Sequence, residues 1–198
     1  MKPNIPMEAM GRFGPVAGFD WDTAQPLKRT LKGLAGSIVT FDTPHALLYV
    51  SKFDIDTDGP GGSKKDDPCW QRATSLRTSG ENSLDSRKFP GVVVPPGLGV
   101  RMGTLGVCYW HGIAVAVQAY DAGPRNKIGE GSIYLGRKLG LVPPNMSDHT
   151  ASTKGNSVKD CVTCFFLGTS PGHALQPELI DGAVKQLCVK NGLARLLG

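Results

Sequence analysis

Two carboxylic side chains held near each other in a rigid frame can divide acid and base work between them. The stretch QAYDAGPRNKIGEGSIYLG offers such a pair in Asp121 and Glu130. Asp121 falls where an apolar, β-type run gives way to a Gly-Pro turn, and Glu130 stands between Gly129 and Gly131 at the start of an expected helix. One acid that protonates a leaving oxygen and one carboxylate that activates water is the arrangement glycosidic hydrolysis needs. The same residues also have a plain structural use, Asp121 capping its turn and Glu130 favouring a helix N-terminus. Spacing alone leaves both readings open.

A second acidic group, Asp54, Asp56 and Asp58, sits in FDIDTDG. The pattern resembles the opening of a calcium loop. Lys65 stands where the bidentate Glu is due, however, and Pro60 and Gly61 disturb the turn, which argues against an EF-hand. On a strand these residues share one face and line a cleft with negative charge, or else form a solvated acidic edge. Trp70, Tyr109, Trp110, Tyr120 and Tyr134 lie near these segments; one or two can stack on a ligand ring while the others are core. His111 reads as a core or turn residue, and neither Ser75 nor Ser132 carries a nucleophile motif.

The elements that must position these groups are mostly strands. SIVTFDTPHALLYVSKFDID reads as two strands around a proline break, PGVVVPP as another, and LGVCYWHGIAVAVQAYDAG as the most strongly β segment. VTCFFLG is a further strand. Helices are expected near Leu27, Leu31 and Leu34, near Ile133, Leu135 and Leu139 with Gly140 as the stop, and from about Gln176 with a buried stripe of Leu179, Ile180, Ala183, Val184 and Leu187. Residues 58–90 form a long polar loop of the kind that builds binding sites. The expected organisation is an N-terminal arm and short helix over 1–40, then a single catalytic domain over 41–198. The expected fold is mainly β, a barrel of the double-psi kind with peripheral α-helices.

Composition narrows the classes. The chain has 198 residues, 26 of them Gly and 15 Pro, which suits short strands and many turns. Its net charge of +5 comes from scattered Lys and Arg rather than a basic tract, so nucleic acid is not the expected partner. No apolar run is long enough for a membrane span, and the first residues lack the apolar core of a signal peptide, so synthesis in the cytoplasm is expected. Five cysteines make an incomplete disulfide set, and the lone C-x-x-C at Cys161 and Cys164 reads as strand packing rather than a zinc or redox site.

The string from Ala119 to Leu141, with Asp121, Gly123, Pro124, Gly129, Glu130, Ser132 and Ile133, resembles a motif of the glycoside hydrolase family 75 chitosanases and their bacterial relatives. FDIDTDG, Asp67-Pro68 with Trp70-Gln71, Thr74 to Leu76, Leu84 to Ser86 and FPGVVVPP resemble family blocks in the same order, so the resemblance spans about residues 47–141. It implies an inverting glycosidase with Asp121 and Glu130 as catalytic carboxyls, Glu130 favoured as acid and Asp121 as base. It also implies substrate contacts from Asp54, Asp56, Asp58, Trp70, Thr74, Ser75, Asp85, Tyr120, Lys127 and Ser132. The loop is expected to cover the cleft, with Asp56 and Thr74 facing the glycan. No metal or other cofactor is implied.

Three functions follow as expectations. One is an endo-chitosanase, whose acidic cleft would receive the ammonium groups of glucosamine. Another directs the same chemistry at peptidoglycan, whose anionic stems suit a basic protein. Such a chain would be an injected antibacterial effector with an immunity protein as partner; either enzyme, secreted or injected, is expected to act outside the producing cytoplasm. The remaining one is an idle glycan-binding module.

Overall fold

The computed structural model describes residues 39–42, 46–125, 127–153 and 158–190. The expected arm and the early helix lie outside these residues. Among the described residues, β-branched and aromatic runs form seven strands: β1 (Val39–Asp42), β2 (Ala46–Asp56), β3 (Gly91–Val94), β4 (Leu105–Trp110), β5 (Ile113–Ala122), β6 (Glu130–Ser132) and β7 (Val158–Phe166). The sheet runs β1-β2-β6-β3-β5-β4-β7, and β7 pairs back onto β2, so six strands close into a barrel and β1 lies outside the ring on β2. The pairs β2–β6 and β3–β5 are parallel and the other contacts are antiparallel. A mainly β barrel with peripheral helices is thus what the chain adopts.

Three helices stand among the described residues: α1 (Ile133–Lys138), α2 (Asp148–Thr153) and α3 (Pro177–Lys190). α1 begins where the Ser132 hydroxyl accepts from Leu135 N–H and ends before Gly140, whose φ of +75° lets the chain turn away. The strand alternation splits the core into two apolar clusters. One holds Leu48, Val50, Val93, Val107 and Tyr120 and is covered by Ile180, Val184 and Cys188 of α3. The other holds Tyr49, Phe53, Ile55, Val92 and Phe165 and is covered by Ile133 and Leu135 of α1 and by Leu139 at its C-cap. The α3 stripe differs from expectation at one position: Leu179 is 57% exposed, and Cys188 takes a buried place instead.

The segment LGVCYWHGIAVAVQAYDAG divides into the β4–β5 hairpin, turned by His111 and Gly112 at φ +42° and +87°, so His111 is a turn residue. Cys161 and Cys164, three apart on β7, fall into different core clusters, which excludes a shared C-x-x-C metal site. Cys161 instead lies 3.4 Å from Cys108, sulfur to sulfur.

The loop between β2 and β3 is anchored rather than loose. Leu76, Leu84 and Phe89 are buried in the cluster beneath α3. Asp148 of α2 ties Arg87 of this loop to Arg137 of α1, the latter at 2.9 Å. Thr74 Oγ1 donates to the Leu76 carbonyl and accepts from Leu84 N–H, pinning the loop onto itself.

Candidate active site

Asp121 and Glu130 come together through the sheet. Val93 of β3 is the register partner of Asp121 on β5 on one side and of Glu130 on β6 on the other, so the two carboxyls flank Val93 on one face. Two inter-strand spacings put their backbones about 9.6 Å apart. A β-bulge aims Asp121: Val92 pairs with Ala119 and Val93 with Asp121, leaving Tyr120 as the extra residue. Gly123 passes over the gap, where a Cβ would stand 2.8 Å from Val93 and 3.8 Å from Glu130 Oε2. Glycine therefore keeps the space between the two acids open.

Glu130 differs from expectation in its element. It belongs to the short strand β6, and Ser132, not Glu130, caps α1, which carries no acid in its first turn. Gly129 makes this possible: its φ is +88°, and a Cβ there would meet the Lys52 carbonyl at 2.0 Å. Its own carbonyl accepts from Asp54 N–H at 2.8 Å, which docks the loop onto β2.

The row continues across β2, where Asp54 is the parallel register partner of Glu130. Lys127 reaches both, at 2.7 Å from Glu130 Oε1 and 3.5 Å from Asp54. Burial of its ammonium opposes its charge, but the hydrogen bonds and attraction of the two carboxylates outweigh this and leave the Lys127 pKa raised.

On the other side, Asp121 Oδ1 accepts from Ser75 N–H at 2.9 Å, from Ser75 Oγ–H at 2.5 Å and from Ala122 N–H at 2.7 Å. Asp56 and Asp58 approach it, carboxylate oxygens of the three lying within 4.8 Å of one another. Burial first, and the neighbouring Asp58 second, push the Asp56 carboxyl up to about 7. Burial likewise raises Asp58 to about 6, with the charges of Asp121, Asp67 and Glu130 adding to it against the Gln71 N–H bond. Close carboxyls cannot all ionise at once, so this cluster retains a proton near neutral pH.

The other expected contacts divide into two groups. Asp54, Asp58, Ser75 and Lys127 belong to the row or its immediate supports. Asp56 is 7% exposed, accepts from the Asp58 N–H and from the Tyr120 hydroxyl, and touches the site from beneath rather than facing a ligand. Tyr120 is fully buried, with Gly91 leaving room for its ring. Thr74 is 2% exposed with its hydroxyl spent inside the loop, so it does not face a glycan. Ser132 is buried, donating to Phe89 and accepting from Gly91. Trp70 is half-buried and donates to the Gly59 carbonyl, while Asp85 accepts from Arg87 N–H. Neither joins the row.

Tyr109 is core, and Tyr134 lies under Lys138. Trp110 ends β4 at the hairpin opposite Ile113 of β5, about 26 Å along β5 from Asp121. What sequence reasoning missed is the gathering of Asp56 and Asp58 around Asp121, more than sixty residues away, with burial as the main cause that raises both of the former. No protein-family model matches this chain, and no curated protein matches it.

Proposed function

We propose that the chain hydrolyses strands of amino sugars, with acid and base work divided across the gap between Asp121 and Glu130. The observation that carries this is their shared register with Val93: two carboxyls on one face, separated by a strand and an open glycine. A separation of about 9.6 Å between backbones is compatible with the roughly 6.5–9.5 Å between carboxyls that leaves room for a water in inverting glycosidases. The motif resemblance to family 75 chitosanases points the same way.

The surroundings favour a division opposite to the sequence expectation. The Lys127 ammonium makes Glu130 an acceptor, which suits the base that takes a proton from water. The carboxyls raised by burial, Asp56 and Asp58, lie on the other side against Asp121, so the leaving oxygen takes its proton from that side, from Asp58 through Asp121. Asp121, with Oδ1 fixed by Ser75, presents its remaining oxygen in a set geometry.

For substrate, the acidic row suits the ammonium groups of chitosan, while the net charge of +5 suits peptidoglycan with its anionic stems. The effector reading, with an immunity protein as partner, belongs to the second substrate. An idle glycan-binding module would have no use for a shared proton opposite an ion-paired glutamate.

Turnover of chitosan and of purified sacculi by Asp121→Asn and Glu130→Gln tests the proposal. Each variant is expected to lose about 10²–10⁴ in rate with little change in stability. An aryl glycoside with a good leaving group should rescue Asp121→Asn but not Glu130→Gln. Near wild-type rates in both variants on both glycans would remove the pair from the chemistry.

A further inference from the structure

The carboxylate row does not end at Asp121. Ser75, whose N–H and hydroxyl hold Asp121 on one side, also lines a cavity of about 430 Å³ bounded by residues 75–81 of the loop and by the Pro171–His173 turn after β7. Its walls are well fixed. Leu76 N–H donates to the Tyr120 carbonyl at 2.8 Å, which straps the loop to β5 of the barrel, and Ala174 N–H donates to the Arg77 carbonyl at 2.7 Å, which ties the two walls to each other. The Gln118 amide donates to the His173 carbonyl at 3.0 Å and fixes that turn from below. Gly172, at φ +81°, has nothing within 4 Å of where a Cβ would project, so the turn borders open space.

The chemistry of this cavity contrasts with that of the row. Five carboxyls and one ammonium make up the row and its cluster. The cavity presents hydroxyls from Thr78 and Ser79 and apolar surface from Met102 and Pro171, and the cation Arg77 and the anion Glu81 both line it together with His173. An ammonium bound here would find no excess of negative charge. A neutral sugar with hydroxyls to pair and an acetyl methyl to bury finds both, in a volume within the usual range for small-ligand sites.

We propose that this cavity is a subsite for one N-acetylated amino-sugar unit of the strand, placed on the Asp121 side of the cleaved bond. The inference rests on the hydrolase reading of the row and adds the substituent selected: acetylated sugar, whether from peptidoglycan or from acetylated chitosan.

The test uses Glu130→Gln protein, which holds substrate without turning it over, and NMR titration with three probes: fully acetylated chitohexaose, fully deacetylated chitohexaose, and peptide-free peptidoglycan glycan chains. Acetylated chitohexaose should shift the Met102 methyl and His173 ring signals and bind more tightly than the deacetylated oligomer. Ser79→Trp, which fills the cavity from an exposed position, and His173→Ala should each weaken binding about tenfold, the scale of one or two net hydrogen bonds. Preferential binding of the peptidoglycan chains would assign the natural source to the cell wall, and preference for acetylated chitohexaose would assign it to chitin-type glycan.

The subsite is overturned if the deacetylated oligomer binds equally well, if Met102 and His173 signals stay still, or if both variants bind like the parent. Wild-type turnover on the same probes separates the two ideas. Turnover unaffected by Ser79→Trp and His173→Ala removes the subsite and leaves the hydrolase, whereas binding at the cavity without turnover keeps the subsite and removes the hydrolase.

Discussion

Asp56→Asn isolates the energetic cost of the buried carboxyl cluster. An aspartate ionises at 3.8 in the unfolded chain, and in the folded protein burial moves Asp56 to about 7. Below pH 4 it is protonated in both states and its burial carries no ionic cost. Between pH 4 and 7 the unfolded chain releases the proton while the folded protein keeps it, so stability falls as pH rises; above 7 the cost is complete. At 1.36 kcal/mol per pH unit the full cost is about 4 kcal/mol, of which about 2–3 kcal/mol accrues between pH 5 and 8.

Asparagine carries none of it. Its carbonyl still accepts from Asp58 N–H, and its amide can donate to the Tyr120 oxygen that now donates to Asp56. Urea unfolding of wild type and variant at pH 5, 6, 7 and 8 should therefore show the variant's relative stability growing by about 2–3 kcal/mol over that range, or about 5–10 °C in Tm. Asp58 titrates in both proteins and cancels to first order. A constant difference, or one that grows toward acid pH, would mean that Asp56 is an ordinary ionised aspartate and retains no proton.

Other outcomes follow from the same geometry. Gly129→Ala puts a Cβ on a backbone of φ +88° and against the Lys52 carbonyl, and should cost at least about 2 kcal/mol of stability with loss of activity, read by thermal melting and turnover. Ser75→Ala removes one of the bonds that fix Asp121 and should lower kcat about tenfold with KM little changed, the effect of one hydrogen bond felt in the transition state. On the proposed mechanism, with the leaving group's proton drawn from Asp58, turnover should fall as pH rises through about 6, and Asp58→Asn should abolish that limb of the pH–rate profile.

The strands were legible because β-branched and aromatic residues mark them: PGVVVPP, VTCFFLG and the long run ending at Asp121 all pair as strands. Glu130 stands one element earlier than its sequence setting predicts. Three residues are too few for a strand period, and the helical spacing of Ile133, Leu135 and Leu139 draws the expected helix back to the glycines, whereas Ser132 is where the cap falls. The bulge at Tyr120 carries no local mark, so the aromatic ring turns into the core while Asp121 faces the site.

Asp56 and Asp58 looked like cleft-lining charges. Their desolvation depends on a loop whose buried anchors, Leu76, Leu84 and Phe89, are too sparse to show a period. Thr74 and Ser132 looked like ligand contacts because short hydroxyl residues beside acids read alike whether they bind ligands or cap backbone. Only the fold shows their hydroxyls already spent.

The central claim, that this chain breaks glycosidic bonds with water between Asp121 and Glu130, is most directly tested by digesting purified sacculi and partly acetylated chitosan in ¹⁸O-water and weighing the products by mass spectrometry. Hydrolysis predicts new reducing-end sugars heavier by one ¹⁸O, absent from the Asp121→Asn, Glu130→Gln double variant. No new reducing ends from either glycan, products lacking the label, or equal products from the double variant would contradict it.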